Sequence, residues 1–452
     1  MPETGSYMRS IGPGERIWLA FEQEGMTISV ALGIDGIGDI PDEQMNNALR
    51  ILADTYPICR SKLKGCLSTL HWEETDSKIP FIRIGTDQIQ GPIGDWPQDI
   101  EKKILRRKMN LRREIPMAVY SLTDGRTHRL YLKIHHVAMD GLSVFLMGNE
   151  LFRILRGEAP LGPTNGPESR EDLYTLKLPK DYFQKRSPEV SDQTPAENVR
   201  KEDTSMLFPG LNVGKHLIGT PSHYDSIQWY RLLIPWDRIS PKSLNGKIIY
   251  AILEALYELN PGLRGKKVLS SMAVDLRTLL MPGLRKAANL TGLILVEPSK
   301  YENLPLPERI QAIQKDVRES VAKGLAYRKH PAYINLIPVW LFRLGIHIIR
   351  KIVFKKKIFP FFYPFTSVGR YALAELSAPT FQATRAWPFG ILQIGYPLFP
   401  LIISHDSGVD ITLMTDTDDR AGFERFIEVL KKKIDWAEDT MKTAKQDAPE
   451  SR

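Results

Sequence analysis

Two consecutive histidines, His135 and His136, stand where a strand pattern runs out, and Asp140-Gly141 follows closely behind them. Upstream, His128-Arg129-Leu130-Tyr131-Leu132-Lys133-Ile134 alternates in the manner of a half-buried strand. Downstream, Leu142, Phe145, Leu146, Leu151, Phe152 and Leu155 recur at helical spacing. A strand-to-loop boundary on a rigid scaffold is a common place for chemistry. Successive strand residues point to opposite faces, so the two histidines are expected to do different work, one facing a cleft and one packed inside. Asp140-Gly141 suits a tight turn in which the glycine takes positive φ. The carboxylate can support a ring directly or hold the loop through a distant cation. Divergent neighbours make His135, His136 and Asp140 a poor joint metal site, and no metal is expected.

The chain has 452 residues, more than one ordinary domain, with 42% apolar and 25% charged residues, as in soluble globular proteins. The formal net charge of +8 favours anionic partners: nucleic acid, an anionic membrane surface, the phosphates of coenzyme A or an acidic carrier protein. A solvated basic surface explains it equally well. The cations are not interleaved with aromatics in an RNA-binding motif, so no nucleic-acid partner is expected. Two cysteines, Cys59 and Cys66, build neither a disulfide framework nor a zinc spacing, and read as thiols of a reducing compartment. No secretory leader and no membrane-spanning run stand out, so a cytoplasmic protein is expected, with peripheral membrane contact as a variant of that reading.

Along the chain, Pro41-Asp42-Glu43 opens a helix that stops at Tyr56-Pro57. Strands are expected over 80–84, 117–122 and 129–134, with a turn at Asp124-Gly125 delivering the histidines. Residues 156 to 225 turn irregular and polar, which reads as a connection between two halves. The division that follows is 1–165, a linker over 166–225, a second half over 226–441 and a flexible tail over 442–452. In the second half a helix begins near Ser243 or Asn245 as cap, and strands are expected over 268–274 and 289–296. His405-Asp406 reads as a paired strand end. The stretch 332–354, followed by Lys355-Lys356-Lys357 and Phe359 to Tyr363, fits an amphipathic helix lying on an anionic membrane. It fits equally a helix packed in the core. The packed reading is preferred because Pro338, Arg343 and His347 interrupt a lipid-facing stripe.

His135-His136-x-x-x-Asp140-Gly141 resembles the motif of the acyltransferase superfamily that includes chloramphenicol acetyltransferases, peptide-synthetase condensation domains, wax ester synthases and alcohol acyltransferases. Three further stretches carry the resemblance: 48–63, the pair 273–277 with 289–292, and Phe365 to Tyr371, which partly matches a Ser-Asn-x-Gly segment. The likeness runs from about 10 to 440. The Asp-Phe-Gly-Trp-Gly signature of the plant branch is absent. The resemblance implies an α/β fold of two chloramphenicol-acetyltransferase-like halves, each a mixed sheet with helices, and an active-site tunnel between them. It implies His136 as the catalytic residue. His135, Asp140, Gly141 and Arg277 would support the site, with Arg277 pairing Asp140. Ser143, Thr366, Ser367 and Gly369 are candidate oxyanion or channel residues, beside the backbone N–H groups near Asp140-Gly141.

The expected reaction is transfer of an acyl group from a coenzyme A or phosphopantetheinyl carrier-protein thioester to an alcohol or amine. The carrier would come in trans, and no cofactor is expected to stay bound. A histidine suits this chemistry because its pKa lies near neutrality. No Gly-x-Ser-x-Gly signature is present, so transfer without an acyl-enzyme is expected. The rival readings are a non-catalytic binding module of the same fold and a membrane-associated lipid acyltransferase.

Overall fold

The computed structural model describes residues 8–446 except 24–27, 85–100, 124–126, 185–226, 349–361, 391–397 and the single positions 102, 106, 331, 346, 347 and 418. The expected turn at Asp124-Gly125, most of the expected linker, the Lys355-Lys356-Lys357 run and the end of the tail lie outside the described residues.

The first half comprises β1 (Met8–Ser10), α1 (Pro13–Gln23), β2 (Ser29–Gly38), α2 (Asp42–Thr55), β3 (Ser61–Lys64), β4 (His71–Glu74), β5 (Phe81–Ile84), β6 (Met117–Thr123), β7 (Thr127–His135), α3 (Gly141–Leu155) and α4 (Arg170–Lys177). The second comprises β8 (Ile227–Pro235), α5 (Leu244–Leu259), β9 (Leu269–Asp275), α6 (Leu276–Leu280), β10 (Thr291–Val296), α7 (Leu306–Ala322), β11 (Phe362–Arg370), β12 (Phe381–Phe389), β13 (Phe399–His405), β14 (Gly408–Asp416) and α8 (Arg420–Gln446). Helix α4 falls inside the stretch read as linker, so that stretch carries ordered structure at its start.

Both large sheets are mixed. One runs β12-β2-β7-β6-β5 and the other β10-β9-β11-β13-β14-β8. In the first, only β5 and β6 pair in parallel; in the second, β11 runs parallel to both of its neighbours, β9 and β13. The first sheet is completed by β12, a strand from the second half, which pairs antiparallel with β2. Trp387 of β12 lies flat on Gly33 of β2, where a Cβ would stand 2.2 Å from the indole. The halves are therefore joined by a sheet edge as well as by the chain.

Strand β7 is buried on both faces, not on one. Leu130, Leu132 and Ile134 fill one face, and each such side chain contributes about 1.5–3 kcal/mol. Arg129, Tyr131 and Lys133 are buried on the other. Their polar ends are satisfied: Arg129 pairs with Asp35 and Glu101, and the Lys133 ammonium donates to the carbonyls of Ile104, Leu105 and Arg107. Alternation in a sequence reports polarity, and here the polar face meets buried acceptors instead of water. His405 is likewise paired differently than its sequence neighbour suggests. Its Nε2 lies 2.8 Å from Asp410, one strand over, because Asp406 sits in the exposed turn. Ser243 occupies the cap position of α5 with φ 55° but makes no side-chain cap; Gln314 Oε1 accepts from Gly246 N–H there instead.

Candidate active site

His136 follows directly after β7 and lines a cavity of about 560 Å³ between the two halves. The walls come from α1 (Trp18, Phe21), the start of α3 (Gly141, Leu142, Phe145), β9 and β10 (Ala273, Asn289 just before β10, Thr291) and β11 (Thr366, Ser367, Val368). The lining is mostly apolar, with Arg170 and His330 among its polar members. The Trp18 indole stacks on the His136 imidazole, with centroids 4.6 Å apart and planes 15° from parallel. From the second half, Asn289 Nδ2 donates to the His136 carbonyl at 2.8 Å and lies 3.2 Å from Nδ1. Burial pulls the His136 pKa below the usual histidine value, so the neutral ring is favoured. His135, by contrast, is fully buried, and its Nδ1 accepts from Val137 N–H at 3.2 Å.

Asp140 never reaches the cavity. It is fully buried at the N-terminus of α3, where its Oδ1 accepts from Ser143 N–H at 2.9 Å as a helix cap. Its Oδ2 accepts from Leu290 N–H at 2.8 Å, Thr291 Oγ1 at 3.1 Å and Arg277 Nη1 at 2.9 Å. Burial opposes ionisation, but the Arg277 charge and these hydrogen bonds outweigh it and hold the Asp140 carboxyl below its usual range. Arg277 also donates through Nη2 to the Ala288 carbonyl at 2.6 Å. The carboxylate thus fixes α3 and the end of β7 to the loop that leads into β10.

Three expectations change. Gly141 does not take positive φ; it is the first residue of α3, and a Cβ there would meet nothing within 4 Å. It lines the same cavity as His136. Ser143 is not a channel residue. It is 1% exposed, and its hydroxyl is committed to Asp140, the Ala288 carbonyl and Arg277 Nη2. Gly369 is absent from the cavity wall; with φ 107° it sits where the β11–β13 register shifts, between Ser367 and Arg370. Thr366 and Ser367 do line the cavity. Trp18, Asn289 and His330 were not singled out from the sequence, since none carries a local signature. Asn289 stood in the stretch compared with the superfamily, but nothing marked its side chain as the one facing His136. Among the described residues no group of three or more His, Cys, Asp or Glu side chains gathers to hold a metal ion.

Comparison with known proteins places the fold. Solved structures share it across nearly the whole chain at low identity. The starter condensation domain of rhizomide synthetase, a variant solved in complex with C8-CoA, matches with TM-score 0.63 at 13% identity, covering 95% of each chain. The condensation domain of the Monacolin K polyketide synthase matches with TM-score 0.61 at 12% identity, covering 95% of this chain and 97% of that one. Polyketide synthase associated protein 5 of Mycobacterium tuberculosis matches with TM-score 0.60 at 14% identity, covering 95% and 98%. The chain has the condensation-domain fold. That fold is the two-halved α/β architecture expected from the histidine motif. No family model matches the chain. A curated hybrid PKS-NRPS synthetase of Gloeophyllum trabeum is 29% identical over 137 residues. That match covers 28% of this chain and 8% of the synthetase, a small part of a much longer protein.

Proposed function

We propose that this chain transfers an acyl group from a coenzyme A or carrier-protein thioester to an alcohol or amine, with His136 as general base. The observation that carries this reading is a neutral-favoured histidine on the wall of an apolar cavity, held from both halves by Trp18 and Asn289. A base at Nε2 requires the ring proton on Nδ1. The nearby carbonyl of His136 favours that tautomer, against Asn289 Nδ2, whose amino group faces Nδ1 as a second donor.

In the proposed step the acceptor hydroxyl or amine attacks the thioester carbonyl carbon while His136 takes its proton. The tetrahedral intermediate carries an oxyanion. Thr366 and Ser367 offer hydroxyl donors on the cavity wall, and the first N–H groups of α3, beginning at Gly141, offer backbone donors with the positive end of the helix dipole behind them. Collapse expels the thiolate, which takes the proton back from His136. The ester or amide and the free thiol leave without an acyl-enzyme. The apolar lining and volume suit an aliphatic or aromatic acyl group or acceptor. The basic balance of the chain suits a donor that brings phosphates.

The test is thiol release from a panel of acyl-CoAs, with and without mixed alcohols and amines, comparing wild type with His136→Ala. Acceptor-dependent release lost in the variant supports the reading. If CoA donors give nothing, acyl-carrier proteins replace them in the same assay. No release from either donor class sinks it and leaves a binding module of this fold.

A further inference from the structure

The net positive charge of this chain is concentrated in one stretch of its sequence. Between Glu319 and Glu375 there is no acidic residue, while ten cations fall there: Lys323, Lys329, Lys351, Lys355, Lys356, Lys357, Arg328, Arg343, Arg350 and Arg370. That local excess of ten exceeds the +8 of the whole chain, so the remainder is slightly acidic.

Within this segment the structure exposes an apolar stripe. A 3-10 turn over Ala332–Leu336 leads into a helical run over 339–345 that is helical again at 348. Leu336, Trp340, Leu344 and Ile348 follow one another at intervals of four residues and are 69%, 63%, 47% and 48% exposed. Tyr333 and Leu341 flank them, also exposed. A helix on a globular surface ordinarily turns its apolar stripe inward. Here the inward side is held by Ile334, which is buried, and Val339, which packs against the first half's core, while larger apolar side chains face out. The sequence-based preference for a fully packed helix fails on this stripe.

We infer that this surface docks on an anionic lipid bilayer. An exposed Trp, Tyr, Leu and Ile face within a polybasic, acid-free segment has the composition of a helix lying in the membrane interface. In sequence, six of the ten cations are lysines, a residue depleted at protein–protein interfaces, which favours lipid over a protein partner; Lys351 and Lys355 to Lys357 lie outside the described residues. A second copy of the chain would oppose the same positive segment to itself. The placement also has a use. The Ala332–Leu336 turn packs against α1, whose Trp18 stacks on His136, and His330 on the cavity wall lies just before it in the chain. Docking would bring the cavity close to the bilayer, where apolar substrates reside. The docking itself does not depend on the acyl-transfer reading.

The experiment is flotation of the full chain with phosphatidylcholine vesicles, with and without about 30% phosphatidylserine, at low and at physiological salt. Wild type should float with the anionic vesicles about tenfold more than with the neutral ones, and less as salt rises. The double variant Trp340→Ser/Leu344→Ser should lose flotation with an unchanged melting temperature, because both side chains are exposed. Wild type that stays unbound at low salt overturns the inference, and so does a folded double variant that floats like wild type. Light scattering on the same two proteins covers the other occupant. A concentration-dependent dimer abolished by the double variant assigns the stripe to a second copy and also overturns it.

Discussion

Arg277 reaches from the start of α6 in the second half to Asp140 at the head of α3 in the first. Its Nη1 stands 2.9 Å from Oδ2 and its Nη2 3.2 Å from Oδ1. Both side chains are buried, and both hold other partners in the Ala288–Thr291 stretch. The pair therefore positions Asn289, and through it His136, without touching the cavity. Removing one member strands the other's charge in the interior. Arg277→Ala should cost about 3–5 kcal/mol of stability, read by chemical denaturation, and should lower activity. A soluble Arg277→Ala protein with full activity would remove the pair from the account.

The pH dependence of the site follows from the same burial. The folded pKa of His136 is depressed, so the ring stays neutral to lower pH than a free histidine, whose value is 6.5. The acid limb of log kcat/KM should lie below 6.5. Asp140 contributes stability of the opposite origin. Its folded pKa is below the unfolded 3.8, so its contribution is complete above that value and is lost as pH falls through the folded pKa. A pH–rate profile checks the limb, and an acid limb at or above 6.5 would contradict the depressed His136 pKa.

His330 lines the same cavity, and burial, with Arg170 and Arg328 beside it, pushes its pKa down to about 4. A histidine with a depressed folded pKa favours folding less as pH drops. Between 6.5 and about 4 the unfolded chain binds the proton and the folded one does not. His330→Gln should therefore flatten the loss of melting temperature across that window while leaving stability at pH 8 nearly unchanged. An unaltered slope would contradict this.

Gly141 and Gly33 separate two uses of glycine. A Cβ at Gly141 meets open cavity, whereas one at Gly33 would enter the Trp387 ring. Gly141→Ala should fold with a melting temperature unchanged or raised, since alanine favours a helix by about 0.5–1 kcal/mol, yet lose activity by narrowing the space beside His136. Gly33→Ala should lose stability by several degrees. The measurement is melting temperature against kcat/KM for both variants, and a destabilised Gly141→Ala would reverse the assignment.

Much of this was legible in the sequence because it is local. The β6–β7 hairpin, the helix from Leu142 to Leu155 and the divergence of His135 from His136 all follow from periodicity within some forty residues. The resemblance also supplied Arg277, through a motif rather than through any spacing. What stayed hidden is non-local. Trp18 lies more than a hundred residues from His136 and shows only a helical neighbourhood. The Trp387–Gly33 contact depends on β12 crossing to the other half's sheet, which no pattern around either residue announces. The exposed stripe over 336–348 reads as a core helix because apolar periodicity does not say which side faces out.

Glu101 is the clearest case of a residue with no sequence signal and a heavy structural duty. It lies in a charged run, yet it is fully buried. One oxygen accepts from Arg129 at 3.1 Å, from Tyr131 and from Arg231 at 2.8 Å; the other accepts from Trp229 Nε1 at 2.8 Å. Arg129 and Tyr131 belong to β7, six and four residues before His135, while Trp229 and Arg231 belong to β8 of the second half. A single carboxylate thus couples the strand that presents His136 to the edge of the opposite sheet. Glu101→Gln keeps the shape but leaves two guanidinium groups near a neutral amide, one of them, Arg129, still paired with Asp35. The expected cost is about 3–5 kcal/mol. Because the contacts span both halves, the loss should appear in one cooperative unfolding transition shared by both, with kcat reduced through the altered end of β7. A variant with unchanged stability and activity would show that the halves hold together without it.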